Sequence, residues 1–398
     1  MKRPLRIFTC LIFDTGPSLW HRQFPDTLRA MGHDVVETDQ IGLTQSWELA
    51  ANGRWGKNDR VTLMSRILER FECEHRRKPF DLFFAYLYPF QTDASLFEEV
   101  RSRGVPSAYF FCDNLSHPEV AKKIAPQATI NWVPEKAALP QFELAKAAAI
   151  YLPMAANPSH NWPVVVEEDL QVSFAGGKNP FRCAILGEAI TLGLPVTIYG
   201  GGWRVGQNSH HVMNSGALGL ALHQLTRWQK TTRWTGYKVN AAWRFLRHGL
   251  GPRRAAMAYA ALGEVYEAKV KMHVSCEALD LIELNALYGR SAVSIGINDQ
   301  FCATANPPLY AYAKMREFEA TMAGACYLTQ LTDETEDLFV VGAEIECYSD
   351  AIELAAKAKE LLASPTRRKE MRRAARARAI RDHAWQHRFE VLFRKLGL

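Results

Sequence analysis

Among the eight cysteines there is no CxxC pair and no knuckle spacing, which excludes a zinc ribbon and argues against a disulfide framework. Cys10, Cys73, Cys112, Cys183, Cys276, Cys302, Cys326 and Cys347 are scattered, several within apolar runs, as reduced buried thiols of a cytoplasmic protein would be. No stretch approaches the roughly 20 unbroken apolar residues that a membrane-spanning helix requires. The opening MKRPLRIFTCLIFDTG sets basic residues before an apolar run, as a leader does. That run is short, rich in β-branched and aromatic residues, and ends in Asp14-Thr15-Gly16 without a small-residue cleavage site, so it reads as a buried first strand. There is no Walker loop and no full GxGxxG. No DxD-like pair of carboxylates follows a strand in a setting suggestive of metal-bound diphosphate, so no catalytic metal is expected, and no cofactor either. The last absence is local. Residues 189 to 263 contain no Asp or Glu but nine Lys or Arg, and the remainder of the chain carries 39 basic against 42 acidic residues. The net charge of +6 therefore belongs to one segment.

What is present is an alternation of short apolar runs with helical patterns. LRIFTCLIF, HDVVETD, DLFFAYLY, PSAYFFCDN, ATINWVP and IYLPMAAN read as strands. Helices are expected around Phe24 to Met31 and Ala94 to Arg103, in PEVAKKIA, and as a broken helix in KAALPQFELAKAAA. The stretch ANPSHNWPVVVEEDL is polar and proline-punctuated, as a linker would be. The alternation then restarts with VSFAGG, a helix from about Phe181 to Leu192, PVTIYGGGW, AVSIGIN, a helix from Met315 to Ala323, ACYLT, IECY and long helices from Ala351 to the end. Continuous apolar strands alternating with helices imply a parallel sheet covered on both faces. The expected organisation is two facing doubly wound α/β domains: residues 1–157, a linker at 158–170, a second domain at 171–380, and a C-terminal helix at 381–398 crossing back to the first. Ligands of such domains bind where strand C-termini meet helix N-termini.

Three motifs lie at such positions. In VSFAGGKNPFR, a strand runs into Gly176-Gly177, followed by Lys178 and a helix that contains Arg182. The pair reads either as a tight strand-to-helix turn or as a diphosphate cradle, with helix N–H groups and two cations facing the anion. In YGGGW, Tyr199 and Gly200 begin a triple-glycine loop that allows close backbone approach or flexibility. In MREFEATMAGACYLT, Arg316 and Glu319 share one face at the start of a helix that ends at Gly324. The helix dipole favours Glu319 there whether or not it binds a ligand.

Taken in order, VSFAGG, IYGGGW, LYGRSAVSIGIN, the R-x-F-E-x-x-x-x-G helix, DLFVVGAEIECYSD and HAWQHRF make residues 171 to about 393 resemble the CgeB-like (spore-maturation) glycosyltransferases. The N-terminal half resembles them in its α/β pattern and in LFEEVRSRGVPSAYFFCDN. The resemblance implies a GT-B fold whose second domain binds a nucleoside-diphosphate sugar. The loop at Gly176 and Gly177 would face phosphates, Glu319 would bond ribose hydroxyls, and Arg316 would neutralise the departing diphosphate. It implies a hexosyltransferase-like, metal-independent enzyme that acts on a saccharide, lipid-linked or protein acceptor in cell-envelope glycan synthesis. A non-catalytic GT-B protein that binds nucleotide or glycan, or a nucleotide-sugar epimerase, would share these features. Many retaining GT-B enzymes carry a second glutamate eight residues before the ribose-binding one; here that position is Ala311.

Asp113, at the end of AYFFCDN, reads as a catalytic base or as a turn residue before Pro118. His21 and His117 read as surface histidines. The basic tract from Trp203 to Arg254 carries Trp203, Trp228, Trp234 and Trp243. Its tryptophans and cations suit an anionic membrane surface, or a helical insertion packed on its own domain. No nucleic-acid module accompanies the charge, and no nucleic-acid partner is expected. The run RRKEMRRAARARAIR reads as a solvated helix face.

Overall fold

The computed structural model describes residues 3–12, 19–38, 40–203, 252–276, 279–301 and 309–398. The chain packs as two compact units, Met1–Asn157 with Asp382–Leu398, and Pro158–Arg381. Apart from Trp203 and a helix start at Pro252, the basic tract lies outside the described residues, and so do Trp228, Trp234 and Trp243. No described helix is long and apolar enough to cross a membrane.

The first unit holds β1 (Arg6–Leu11), β2 (Asp34–Glu37), β3 (Leu82–Tyr86), β4 (Ser107–Phe110), β5 (Ile130–Val133) and β6 (Ala149–Tyr151). They form one parallel sheet in the order β2-β1-β3-β4-β5-β6. Helices α1 (Leu19–Gln23), α2 (Pro25–Ala30), α3 (Gln40–Ala51), α4 (Lys57–Arg77), α5 (Ala94–Ser102) and α6 (Leu139–Leu144) flank it. PEVAKKIA, expected as an α-helix, winds as a single π turn at Val120–Ile124 that passes into a 3-10 turn. Every residue of β1 and β3 is buried, as a sheet covered on both faces requires. Rings fill the layers: Phe8 stacks on Phe83 with centroids 5.5 Å apart, and Trp385 meets Phe24 at 4.8 Å. The buried Trp385 indole N–H donates to Gln23 Oε1 at 2.7 Å, which satisfies its one polar atom.

The second unit holds β7 (Leu170–Ala175), β8 (Val196–Tyr199), β9 (Val274–Cys276), β10 (Ser291–Gly296), β13 (Tyr327–Gln330) and β14 (Glu346–Tyr348) in one parallel sheet. A short antiparallel pair, β11 (Asp299–Phe301) and β12 (Leu309–Ala311), stands apart. The sheet order is β14-β13-β10-β7-β8-β9, so the chain winds outward from β7 in one direction and then from β10 in the other. That reversal makes the C-terminal ends of β7 and β10 the switch point, where the following loops diverge and leave a crevice. Helices α7 (Pro180–Thr191), α8 (Pro252–Lys271), α9 (Leu281–Arg290), α10 (Met315–Met322), α11 (Thr335–Leu338), α12 (Ala351–Leu362), α13 (Pro365–Asp382) and α14 (Trp385–Leu396) complete the described chain, the last belonging to the first unit.

Within the stretch read as a linker, Asn285 donates to the His160 carbonyl at 2.8 Å, and Glu168 pairs with Arg368 and Arg372. One reading changes. The arginine run is not a solvated face. From α13, Arg368 donates to the Leu361 carbonyl at 2.8 Å, Arg372 to Tyr288 at 3.2 Å, Arg376 to Met322 at 3.1 Å and Arg378 to Leu338 at 3.1 Å. Four helix C-termini thus receive guanidinium donors where their last carbonyls lack intrahelical partners and the helix dipole is negative.

Candidate functional site

Two glycine loops define the switch point of the second unit. Gly176 N–H donates to the Tyr199 carbonyl at 2.8 Å, Lys178 N–H to Gly201 at 3.0 Å, and the Trp203 indole to Gly176 at 2.8 Å. Gly200 has φ +131°, and a Cβ there would lie 2.6 Å from the Gly176 carbonyl carbon, so only glycine lets the loops approach this closely. The triple glycine therefore braces the first loop. Tyr199 contributes its carbonyl while its side chain is buried, and Trp203 is a core residue of the brace rather than part of a membrane face.

Above this brace lies a cavity of about 110 Å³, lined by Gly176, Gly177, Arg182, Asn298, Lys314 and Arg316 among others. Three of the lining residues are cations and none is a carboxylate. Asn179 caps α7 through Oδ1, which accepts from Arg182 N–H at 2.8 Å, and Pro180 occupies the first turn. Arg182 Nη1 donates to the Gly177 carbonyl at 2.7 Å, and its guanidinium lies 5.6 Å from the Phe174 ring centroid. Its Nε is buried without a partner. Burial, and then the like charge of Arg316, lower the Arg182 pKa from its ordinary value. Arg316 Nη1 donates to the Tyr288 hydroxyl at 3.3 Å and lies 3.6 Å from Glu319 Oε2. Tyr288 first, then Glu319, hold its pKa above the ordinary value. Two guanidinium groups crowding one small cavity form a site that an anion relieves.

Of the residues singled out in sequence, Gly176, Gly177, Arg182 and Arg316 come together here. Glu319 is buried behind Arg316 as its ion-pair partner and does not line the cavity. Lys178 turns away, with Nζ 2.6 Å from Glu267 Oε1 on α8. Ala311 lies on β12. Sequence reasoning missed Asn298 and Lys314, although Asn298 follows a strand C-terminus and the topology rule would have flagged it. It also missed Gly296, where a Cβ would meet the Tyr327 ring carbon Cζ at 2.8 Å.

Asp113 lies in the first unit, beyond the end of β4. Its carbonyl accepts from His117 N–H at 3.0 Å, as a turn residue's would, while its Oδ2 accepts from the Tyr88 hydroxyl. Burial, then Asp113, push the Tyr88 hydroxyl pKa upward. Glu135 is buried next to them and accepts from Asn114 N–H at 2.6 Å; burial first, then Asp113, raise its pKa well above the usual carboxylate range. His117 Nδ1 lies 3.0 Å from Glu119 Oε1, and His21 pairs with Glu37. Burial pushes the Glu37 pKa up, but bonds from His21 and Arg29 outweigh it and bring it down to about 2.

The chain belongs to the glycosyl transferase-like family, whose profile matches residues 181–394, more than half its length. Its fold is GT-B, with two parallel-sheet Rossmann-like domains, as in solved glycosyltransferases. Sucrose-phosphate synthase from Thermosynechococcus elongatus superposes with a TM-score of 0.60 at 14% identity, covering 99% of each chain. Anabaena HepE, solved with UDP and glucose, gives 0.60 at 11% identity over 99% of this chain and 100% of its own. A glycosyltransferase from Rickettsia africae gives 0.57 at 12% identity, over 99% and 98%. No curated relative matches in sequence.

Proposed function

We propose that the protein is a hexosyltransferase that moves a sugar from a nucleoside-diphosphate donor to an acceptor hydroxyl in cell-envelope glycan synthesis, as a CgeB-like member of its family. The observation that carries this is the cavity at the β7/β10 switch point, where Arg182, Lys314 and Arg316 converge with no carboxylate among the lining residues. Two guanidinium groups and the glycine loop would hold the diphosphate, and Arg316 would stabilise the charge that grows on it as the glycosidic C–O bond breaks. Asp113 would take the acceptor's proton as the new C–O bond forms, leaving nucleoside diphosphate as the second product. Glu319, buried as the ion-pair partner of Arg316 in this structure, would exchange that pairing for the ribose hydroxyls when the donor binds, and Lys178, turned toward Glu267, would be an outer counter-charge. That HepE is solved with UDP-glucose supports a uridine donor. The cations of the site can do the work of a metal, so turnover should persist in EDTA.

The test is a thermal-shift screen of nucleotide sugars, since a ligand present at 100 times its Kd stabilises the native state by about 2.7 kcal/mol. UDP and one UDP-sugar should raise Tm, and the responding donor should release UDP when acceptors are supplied, with or without EDTA. No shift with any nucleotide sugar refutes the donor site, and turnover that requires added magnesium or manganese refutes metal independence. The basic tract at 203–254, apart from the buried Trp203, is proposed as an anionic-membrane contact, to be checked by flotation with anionic vesicles.

A further inference from the structure

Asn298 lines the cavity of the second unit just beyond β10 and is 2% exposed. It is pinned at two points. Its backbone N–H donates to Gln330 Oε1 at 3.1 Å, which also accepts from Asp299 N–H at 3.0 Å. Its side-chain Nδ2 donates to the Gln330 carbonyl and to Thr329 Oγ1, each at 3.3 Å. A carbonyl can only accept, so Gln330 fixes the two ends of the amide: turned over, Oδ1 would face that carbonyl oxygen to oxygen.

Thr329 passes the polarity on. Accepting from Nδ2, its hydroxyl donates in turn to Glu317 Oε1 at 3.0 Å. Gly296 leaves the room for this, since a Cβ there would run into the Thr329 hydroxyl. Glu317 is buried on α10 next to Arg316, and its Oε2 has no partner. Burial raises the Glu317 pKa, against the bonds from Asn298 and Thr329. A proton taken up on Oε2 leaves Oε1 an acceptor, so the relay runs the same way in both protonation states.

The N–H donors of the amide are thus engaged within the protein, and among the described residues none donates to Oδ1. What Asn298 offers a cavity otherwise lined by Arg182, Lys314 and Arg316 is an acceptor. Phosphate oxygens are acceptors themselves and pair with the cations, so Oδ1 suits a hydroxyl beside the phosphates. Ala311, opposite Asp299 in the β11/β12 pair, adds no polar side chain there.

We propose that Asn298 Oδ1 accepts a hydroxyl of the sugar being transferred, which makes Asn298 a specificity-determining residue for the donor, with Thr329 and Glu317 as its positioning residues. The inference rests on the donor reading above and deepens it: with the ribose assigned to Glu319, the hydroxyl left for Asn298 is on the sugar. A site built to bond a hydroxyl discriminates strongly against the analogue that lacks it.

The test is calorimetric titration of the full chain with UDP, UDP-glucose, UDP-galactose and UDP-N-acetylglucosamine, then with the deoxy analogues of the sugar nucleotide that binds tightest. Asn298→Leu should weaken that sugar nucleotide about tenfold or more and leave UDP within about twofold, which also shows that the variant folds. One deoxy analogue should lose as much on the unsubstituted protein and nothing further on Asn298→Leu, and this coupling identifies the hydroxyl. Thr329→Val keeps the shape and removes the relay; it should weaken the sugar nucleotide about threefold, and have no further effect when added to Asn298→Leu. Glu317→Gln, which keeps an oxygen for Thr329, should bind as the unsubstituted protein does. Equal weakening of UDP and sugar nucleotide by Asn298→Leu overturns this inference alone, as does unchanged binding of both, or a deoxy series in which no analogue couples to Asn298. If Asn298→Leu does not fold, Thr329→Val must show the same split between UDP and sugar nucleotide, and its absence overturns the inference. A protein that binds neither UDP nor any of the sugar nucleotides refutes the donor reading, and this inference with it.

Discussion

Replacing Arg182 with methionine should separate donor binding from stability. In the unligated protein the substitution removes the bond from Nη1 to the Gly177 carbonyl, 2.7 Å long, a charge-assisted contact worth about 1.5–3 kcal/mol. It also removes a buried Nε that has no partner, whose desolvation costs about 1–3 kcal/mol, and ends the repulsion between two guanidinium groups that share one cavity. Methionine retains most of the packing against Phe174. The terms oppose one another and are similar in size, so unligated stability should change by no more than about 1 kcal/mol. If the cavity holds the diphosphate as proposed, the balance differs with ligand bound, because the lost guanidinium would be one of two holding the anion. Kd for UDP should rise by one to two decades, equivalent to about 1.5–3 kcal/mol. Calorimetric titration with UDP and urea unfolding of the unligated protein measure the two quantities. A UDP Kd within twofold of the starting protein, or a stability loss above about 3 kcal/mol, would refute the reasoning.

Three further outcomes follow from the same geometry. If Glu319 exchanges its ion pair with Arg316 for the ribose hydroxyls on donor binding, Glu319→Gln should raise donor KM with kcat largely kept, whereas Arg316→Lys should lower kcat about 10- to 100-fold; identical kinetic signatures for the pair would contradict the separate roles. Gly200→Ala combines φ +131° with a Cβ 2.6 Å from the Gly176 carbonyl carbon, so it should cost about 3 kcal/mol and lower Tm by roughly 6–12 °C, and a Tm within 2 °C would show that the loops can part. Glu37, held at about 2, stabilises the fold above its unfolded pKa of about 4.3, and that stabilisation is lost as pH falls toward 2. Glu37→Gln should therefore cost about 2–3 kcal/mol in urea unfolding at pH 7, with the gap shrinking between pH 5 and 3; a pH-independent gap would mean that another group carries the effect.

The alternation of buried strands with helices was legible because apolar periodicity is local: RIFTCL or SAVSIG must lie in a doubly covered sheet whatever surrounds it. The glycine turn between β7 and α7 was legible for a similar reason, since a Gly-Gly between a strand and a helix N-terminus is a local backbone statement. Short elements were not. β9 has three residues, and the β11/β12 pair, from Asp299↔Ala311 to Phe301↔Leu309, depends on partners across a loop rather than on any pattern within either strand.

The positions of the charged side chains belonged to the tertiary structure. Lys178 sits directly after the glycine loop yet turns to Glu267, which is 89 residues distant in sequence, because the carboxylate on α8 is the nearer partner. Arg182 and Arg316 meet because α7 follows β7, and α10 follows β10 after the β11/β12 pair, in a sheet that sets β7 and β10 side by side. The basic run of α13 could not disclose that its arginines cap four helix ends, since the carbonyls they reach lie up to 84 residues away. Local sequence sets which segments are strands and where the backbone can turn tightly. Which charges end up facing one another depends on strand order, and strand order follows from burying all the apolar faces at once.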